Sequence, residues 1–176
     1  MCADKPIQNR KSIRLPNYDY TQEGAYFITL VINNRKCLLS DVVESQIKLS
    51  PIGNIVKDIW QSIPLHFPQA SVNHYVIMPN PIHGFIVIDQ SVGARLVFVN
   101  STLRAVPLLL RDVPQRNYER FGKPVKGSIP TIIRSFKSET TRRVNILRQT
   151  PGAKFWHRKY YEHVIRNEEE YQILVD

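Results

Sequence analysis

The chain has 176 residues, 43% of them hydrophobic, with 24 Lys/Arg against 15 Asp/Glu and two cysteines. That length supports one buried core and demands no second domain, no apolar run approaches the roughly 20 residues of a membrane-spanning helix, and Cys2 and Cys37 are too few to form a disulfide framework. Residues 1–88 carry 8 Lys/Arg against 6 Asp/Glu, and residues 89–176 carry 16 against 9, so a polyanion-binding face is expected to come largely from the second half.

Residues 1–17 are polar and basic, with Arg10, Lys11 and Arg14 ahead of Pro16, and read as an arm available to track a nucleic-acid backbone or simply to solvate the chain. The opening residues lack a signal-peptide pattern, so a cytoplasmic location without a membrane partner is expected. Gly24 then leads into Ala25 to Ile32, a β-branched and aromatic run that predicts a buried strand. Asn33-Asn34 turns the chain, a second strand is expected over about 37–43, and a short hairpin return over 46–49. Ser50 before Pro51 starts a helix whose Ile52, Ile55, Val56, Ile59 and Ile63 keep helical spacing to about Pro64.

Residues 72–78 read as a strand, Pro79-Asn80-Pro81 as a break, and residues 82–88 as its antiparallel neighbour. His83 therefore stands close to the turn, at the start of a strand. A second ligand at position 81 would share its face, but that position holds Pro81, which offers no donor atom. Residues 89–127 are punctuated by Pro107, Pro114, Gly122, Pro124 and Gly127 and read as a basic, irregular insertion in which Leu96 to Val99 is the one strand-like run.

Ser128 caps a second long helix with an apolar stripe of Ile129, Ile132, Ile133, Phe136, Thr140, Val144 and Leu147. Arg134, Lys137, Arg142 and Arg143 fall largely off the stripe and make a charged outer surface. Residues 156–166 hold an alternating strand with Tyr161, His163 and Ile165 on one face. His163 is either a phosphate or base contact or a satisfied sheet histidine. Trp156, Tyr160 and Tyr161 beside Arg158 and Lys159 form either a stacking platform for unpaired bases or, for the tryptophan, part of the core. Asn167 caps a last helix that opens on three glutamates and carries Tyr171, Leu174 and Val175 at helical spacing; its pattern is expected to continue beyond Asp176. The element order predicts an α+β fold, a ferredoxin-like antiparallel sheet covered by helices, in one domain over residues 1–176.

Three segments together carry a resemblance: Arg10 to Tyr20 leading into Gly24-Ala-Tyr-Phe27; Val76-Ile-Met-Pro-Asn80 with Ile82-His-Gly84; and Trp156 to Asn167. In this order they resemble the REP-associated tyrosine transposases, single-tyrosine members of the HUH nuclease superfamily. The resemblance implies a metal-dependent endonuclease and strand transferase acting on single-stranded DNA near hairpins. In that family a histidine, hydrophobic residue, histidine motif holds Mg or Mn at the scissile phosphate, and a helix-borne tyrosine attacks and stays linked to the DNA. Here the motif reads Pro81-Ile82-His83, so His83 is the remaining metal ligand and a weakened metal is expected. The position matched to the nucleophile lies six residues past Tyr171. Tyr171 itself is a weak substitute, because six residues turn a helix by about 240° net.

The resemblance thus implies a DNA-binding protein impaired in cleavage, acting as a monomer in preference to a homodimer, with Arg10, Lys11, Arg14, Arg134, Lys137, Arg142, Arg143, Arg158, Lys159 and His163 as DNA contacts. The alternatives are a DNA-binding or regulatory module with no chemistry, and a non-functional remnant.

Overall fold

Alternation along two seven-residue strands divides the molecule. The structure, a computed structural model, describes residues 18–89 and 125–175. The arm with Arg10, Lys11 and Arg14, the strand-like run at 96–99, most of the expected insertion and Asp176 lie outside the described residues.

Strand β1 (Gly24–Leu30) pairs antiparallel with β6 (Ile82–Ile88), so that Tyr26 faces Ile86, Ile28 faces Gly84 and Leu30 faces Ile82. These residues are buried on one side of the sheet. The alternate set, Phe27 opposite Phe85 and Thr29 opposite His83, points to the other side. Two short strands, β4 (Ala70–Ser71) and β5 (Tyr75–Ile77), lie end to end along the far edge of β6, and β7 (Tyr161–Val164) pairs with the far edge of β1. All pairings are antiparallel, and the order across the sheet is second, third, first, fourth. A helical crossover follows the first and third strands, which is the expected ferredoxin-like α+β arrangement.

Helices α1 (Pro51–Gln61) and α3 (Ile129–Arg148) cover the apolar side. Both start as the sequence dictates. Ser50 Oγ accepts from Gly53 N at 3.0 Å and Ser128 Oγ from Thr131 N at 3.4 Å. Trp60 of α1 meets Phe136 of α3 edge to face at 5.2 Å and lies over Gly84. A methyl group on Gly84 would come within 2.6 Å of the Trp60 ring and 2.8 Å of Tyr75 Cβ, so glycine is required there for close approach.

Several details depart from the expectations. The second strand starts at Ser40 and, with Gln46–Leu49, makes a separate ribbon, β2 (Ser40–Val43) and β3 (Gln46–Leu49), outside the main sheet. Residues 38 and 39 donate their backbone N–H groups to Pro79 O, which ties them to the β5–β6 turn and leaves Val42, Val43 and Ile47 exposed. The strand expected over 72–78 is shortened to β5, and β4 pairs separately just before it. Pro64 sits in the first turn of a short helix, α2 (Ile63–His66), where a proline needs no N–H partner, so it begins a helix instead of ending one. The last turn of α3 overhangs the core, leaving Leu147 half exposed, and Gln149 closes it in the left-handed region at φ 55°.

Gly84→Ala should destabilise the fold by about 1–3 kcal/mol through overpacking against Trp60, measured as a lowered urea midpoint with an unchanged slope. Wild-type stability would show that Trp60 is free to move.

Candidate nucleic-acid interface

On the side of the sheet away from α1 and α3, α4 (Glu168–Val175) packs through Tyr171 on Phe85 and through Glu170 on His163. This side gathers His83, Phe27, Thr29, Phe85, Tyr161 and His163. The turn that aims His83 is fixed at both ends: Met78 N donates to Pro81 O at 3.0 Å, and Ile32 N donates to Asn80 Oδ1 at 3.0 Å. The Asn80-Pro81 peptide is cis.

His83 Nδ1 shares a 2.8 Å hydrogen bond with Thr29 Oγ1, its cross-strand partner. Its ring lies nearly parallel to that of Phe27, 5.7 Å away. Among the described residues Nε2 makes no hydrogen bond. Burial holds the imidazole below its ordinary pKa, and the register with Thr29 directs it away from the apolar core. A hydroxyl bonded to the far ring nitrogen is one way a ligating histidine is held in orientation, yet Pro81 brings no donor beside it and no group of three metal-ligating side chains exists among the described residues.

Tyr171 of α4 is buried (8% exposed), its ring 4.7 Å from Phe85 and its Oη 2.6 Å from His74 Nδ1. The phenol therefore fastens α4 to the sheet. Leu174, expected beside it in the core, is partly exposed. His163, opposite Phe27 on β7, holds Glu170 Oε1 at 2.5 Å. Glu170 Oε2 accepts from Arg166 N at 2.9 Å, and Glu170 N donates to the capping Asn167 Oδ1 at 2.8 Å. The Arg166 amide and then His163 hold the Glu170 carboxyl below the usual carboxylate range.

The basic residues divide between two sides. Arg142 and Arg143 both bind Glu139, at 2.7 Å for each closest pair, and those hydrogen bonds press the Glu139 carboxyl down to about 2. With Arg134 they lie on α3, across the sheet from His83. Lys137 is a strap: its Nζ donates to His157 O at 2.8 Å and Arg158 O at 3.3 Å and stands 5.5 Å from the Tyr160 ring centroid. Burial lowers its pKa to about 8. Arg158 and Lys159 are exposed just before β7. Trp156 is buried, its Nε1 donating to Thr140 Oγ1 at 2.6 Å, so it belongs to the core and not to a stacking platform. Tyr161 is 54% exposed.

Sequence reasoning did not single out Thr29 and gave His74 and Glu170 no partner. The first two emerge only when register and packing are known. Glu170, three residues after the capping Asn167, carried a local signal.

His83 titrates below its free value, so the unfolded chain takes up more protons as pH falls through about 6.5. The stability it contributes is present above that pH and lost below it. A nuclear magnetic resonance titration should give a His83 midpoint below 6.5, and His83→Gln should flatten the acid limb of stability against pH. A midpoint at or above the free value would contradict the half-buried placement.

No family model matches the chain. It is 37% identical over 167 residues to an uncharacterized protein of Haemophilus influenzae, spanning 94% of this chain and 83% of that one. Among solved structures it is similar to a REP-associated tyrosine transposase bound to a REP hairpin, with a TM-score of 0.53 at 16% identity, over 94% of this chain and 67% of the other. A structure of a candidate transposase from Deinococcus radiodurans aligns with a TM-score of 0.46 at 15% identity, over 89% of this chain and 90% of the other. At these identities the likeness to the REP-associated structure is one of fold.

Proposed function

The chain belongs to the same family as the Haemophilus influenzae protein, and we propose that it is a transposase-like DNA-binding protein that engages hairpin-forming DNA with a single-stranded tail and is impaired in cutting it. The observation that carries this reading is His83, hydrogen-bonded to Thr29 and turned away from the core onto the sheet side where α4 packs. The fold is shared with a transposase whose structure was solved on a REP hairpin, and the excess of 24 Lys/Arg over 15 Asp/Glu favours a polyanion. Residues 1–176 act in this reading as one domain and as a monomer.

The residues present do not fit a tightly held Mg or Mn ion. One imidazole is offered where two are needed, and the Pro81 side chain carries no ligating atom. No step is therefore derived through a metal. The phenol of Tyr171, buried and engaged by His74, has little freedom to serve as the nucleophile. What the site retains is a rigid, partly aromatic surface with Arg158 and Lys159 at its edge, which suits binding. A purely DNA-binding role is favoured by the same hydrogen bond from Tyr171, since it secures α4 in place.

Binding to tailed hairpins should weaken steeply with salt. Replacing both Arg158 and Lys159 by alanine should reduce the slope of log affinity against log salt by about 0.7 for each phosphate no longer neutralised, read by fluorescence anisotropy. Absent binding, or affinity indifferent to salt, contradicts the proposal. Pro81→His should raise Mn affinity, seen by paramagnetic broadening of the His83 resonances. If the wild type already nicks tailed hairpins as fast as this variant, the impairment is refuted.

A further inference from the structure

We propose that the groove between β7 and α4 is a nucleobase slot, in which Tyr161 and His163 sandwich one unpaired base of a single-stranded tail. The inference rests on the DNA-binding reading above and names the part of the DNA that this site takes. Tyr161 and His163 are two residues apart on one strand, so their side chains rise from the same face. Their rings are parallel within 3° and their centroids are 6.5 Å apart. Bases in DNA stack at about 3.4 Å, and an intervening ring needs two such gaps. The 6.5 Å separation of the two parallel rings is close to the roughly 6.8 Å that a flat ring between them needs.

The wall of the slot is fixed before any ligand arrives. Glu170 grips the edge of the His163 ring through Nε2, and Glu170 is itself held by Arg166 N and the Asn167 cap. Phe27, the cross-strand partner of His163, lies on the sheet side, and Ile173 and Leu174 line the helix side of a groove of about 580 Å³. That volume is within the range of small-ligand sites, and apolar walls with a few polar groups are what such sites use. Arg166, Glu169 and Glu170 line the end of the groove where α4 begins, and Arg158 and Lys159, exposed just before β7, offer phosphate partners at the other end. The base thereby sits beside the sheet face that presents His83.

The test uses the full chain and a hairpin whose tail carries 2-aminopurine at each position in turn. One tail position should be quenched on binding. Tyr161→Ala and His163→Ala should each relieve that quench and weaken binding about five- to a hundredfold, whereas Tyr161→Phe retains both. An abasic nucleotide at the quenched position should cost the wild type the same factor and cost Tyr161→Ala nothing further. Because Tyr161 is half exposed, its removal should leave the thermal melt unchanged. If Tyr161→Ala keeps the affinity and the quench while the Arg158→Ala/Lys159→Ala double variant loses binding, the slot is refuted and the DNA-binding reading stands. If the wild type binds no tailed hairpin, both are refuted.

Discussion

The antiparallel register of β1 against β6 is the constraint from which the rest of the structure follows. Because side chains alternate along a strand, placing Leu30 opposite Ile82 and Tyr26 opposite Ile86 sends an apolar set to one side, and the same pairing must send Thr29 and His83 together to the other. A slip of one residue would bury His83 beneath Trp60 and expose the isoleucines. The apolar side is closed by α1 and α3 and supplies most of the buried hydrophobic surface. Gly84, lacking a side chain, lets the Trp60 ring approach the centre of the sheet.

The second side is built by polar links. Tyr171 to His74 and Glu170 to His163 attach α4 at two points, each joining the helix to a histidine on or next to the sheet. The Asn167 cap places Glu170 where it can reach both Arg166 N and His163. The beginning of the helix, the orientation of a strand histidine and the shape of the neighbouring groove are thus one connected arrangement. Lys137 contributes from the opposite side, since its half-buried ammonium holds the carbonyls of residues 157 and 158 and so fixes the approach to β7.

Much of this was legible in the sequence where the signal is local. The apolar run after the Pro79-Asn80-Pro81 break marked β6, the Ser50 and Ser128 caps marked two helix starts, and the element order pointed to the ferredoxin-like sheet. His83 could be placed at the start of a strand because prolines 79 and 81 punctuate the turn before it. What could not be read depends on partners distant in sequence. Thr29 becomes a partner of His83 only through pairing across 54 positions, and His74 meets Tyr171 across 97. Trp156 looked equally suited to stacking and to burial, and its bond to Thr140 decided for burial. The charge count is a bulk property of the second half, but a helix has two sides. The α3 arginines lie across the sheet from His83, and two of them share one glutamate.

The central claim is that DNA lies on the His83 side of the sheet. The most direct measurement is a resonance-perturbation map recorded as a tailed hairpin is titrated into the isotopically labelled chain. The account predicts that His83, His163 and Tyr161 shift first and saturate together, while Arg142 and Arg143 on the outside of α3 stay near their free positions. Perturbations confined to the outer surface of α3, with the three sheet residues unmoved, would contradict it.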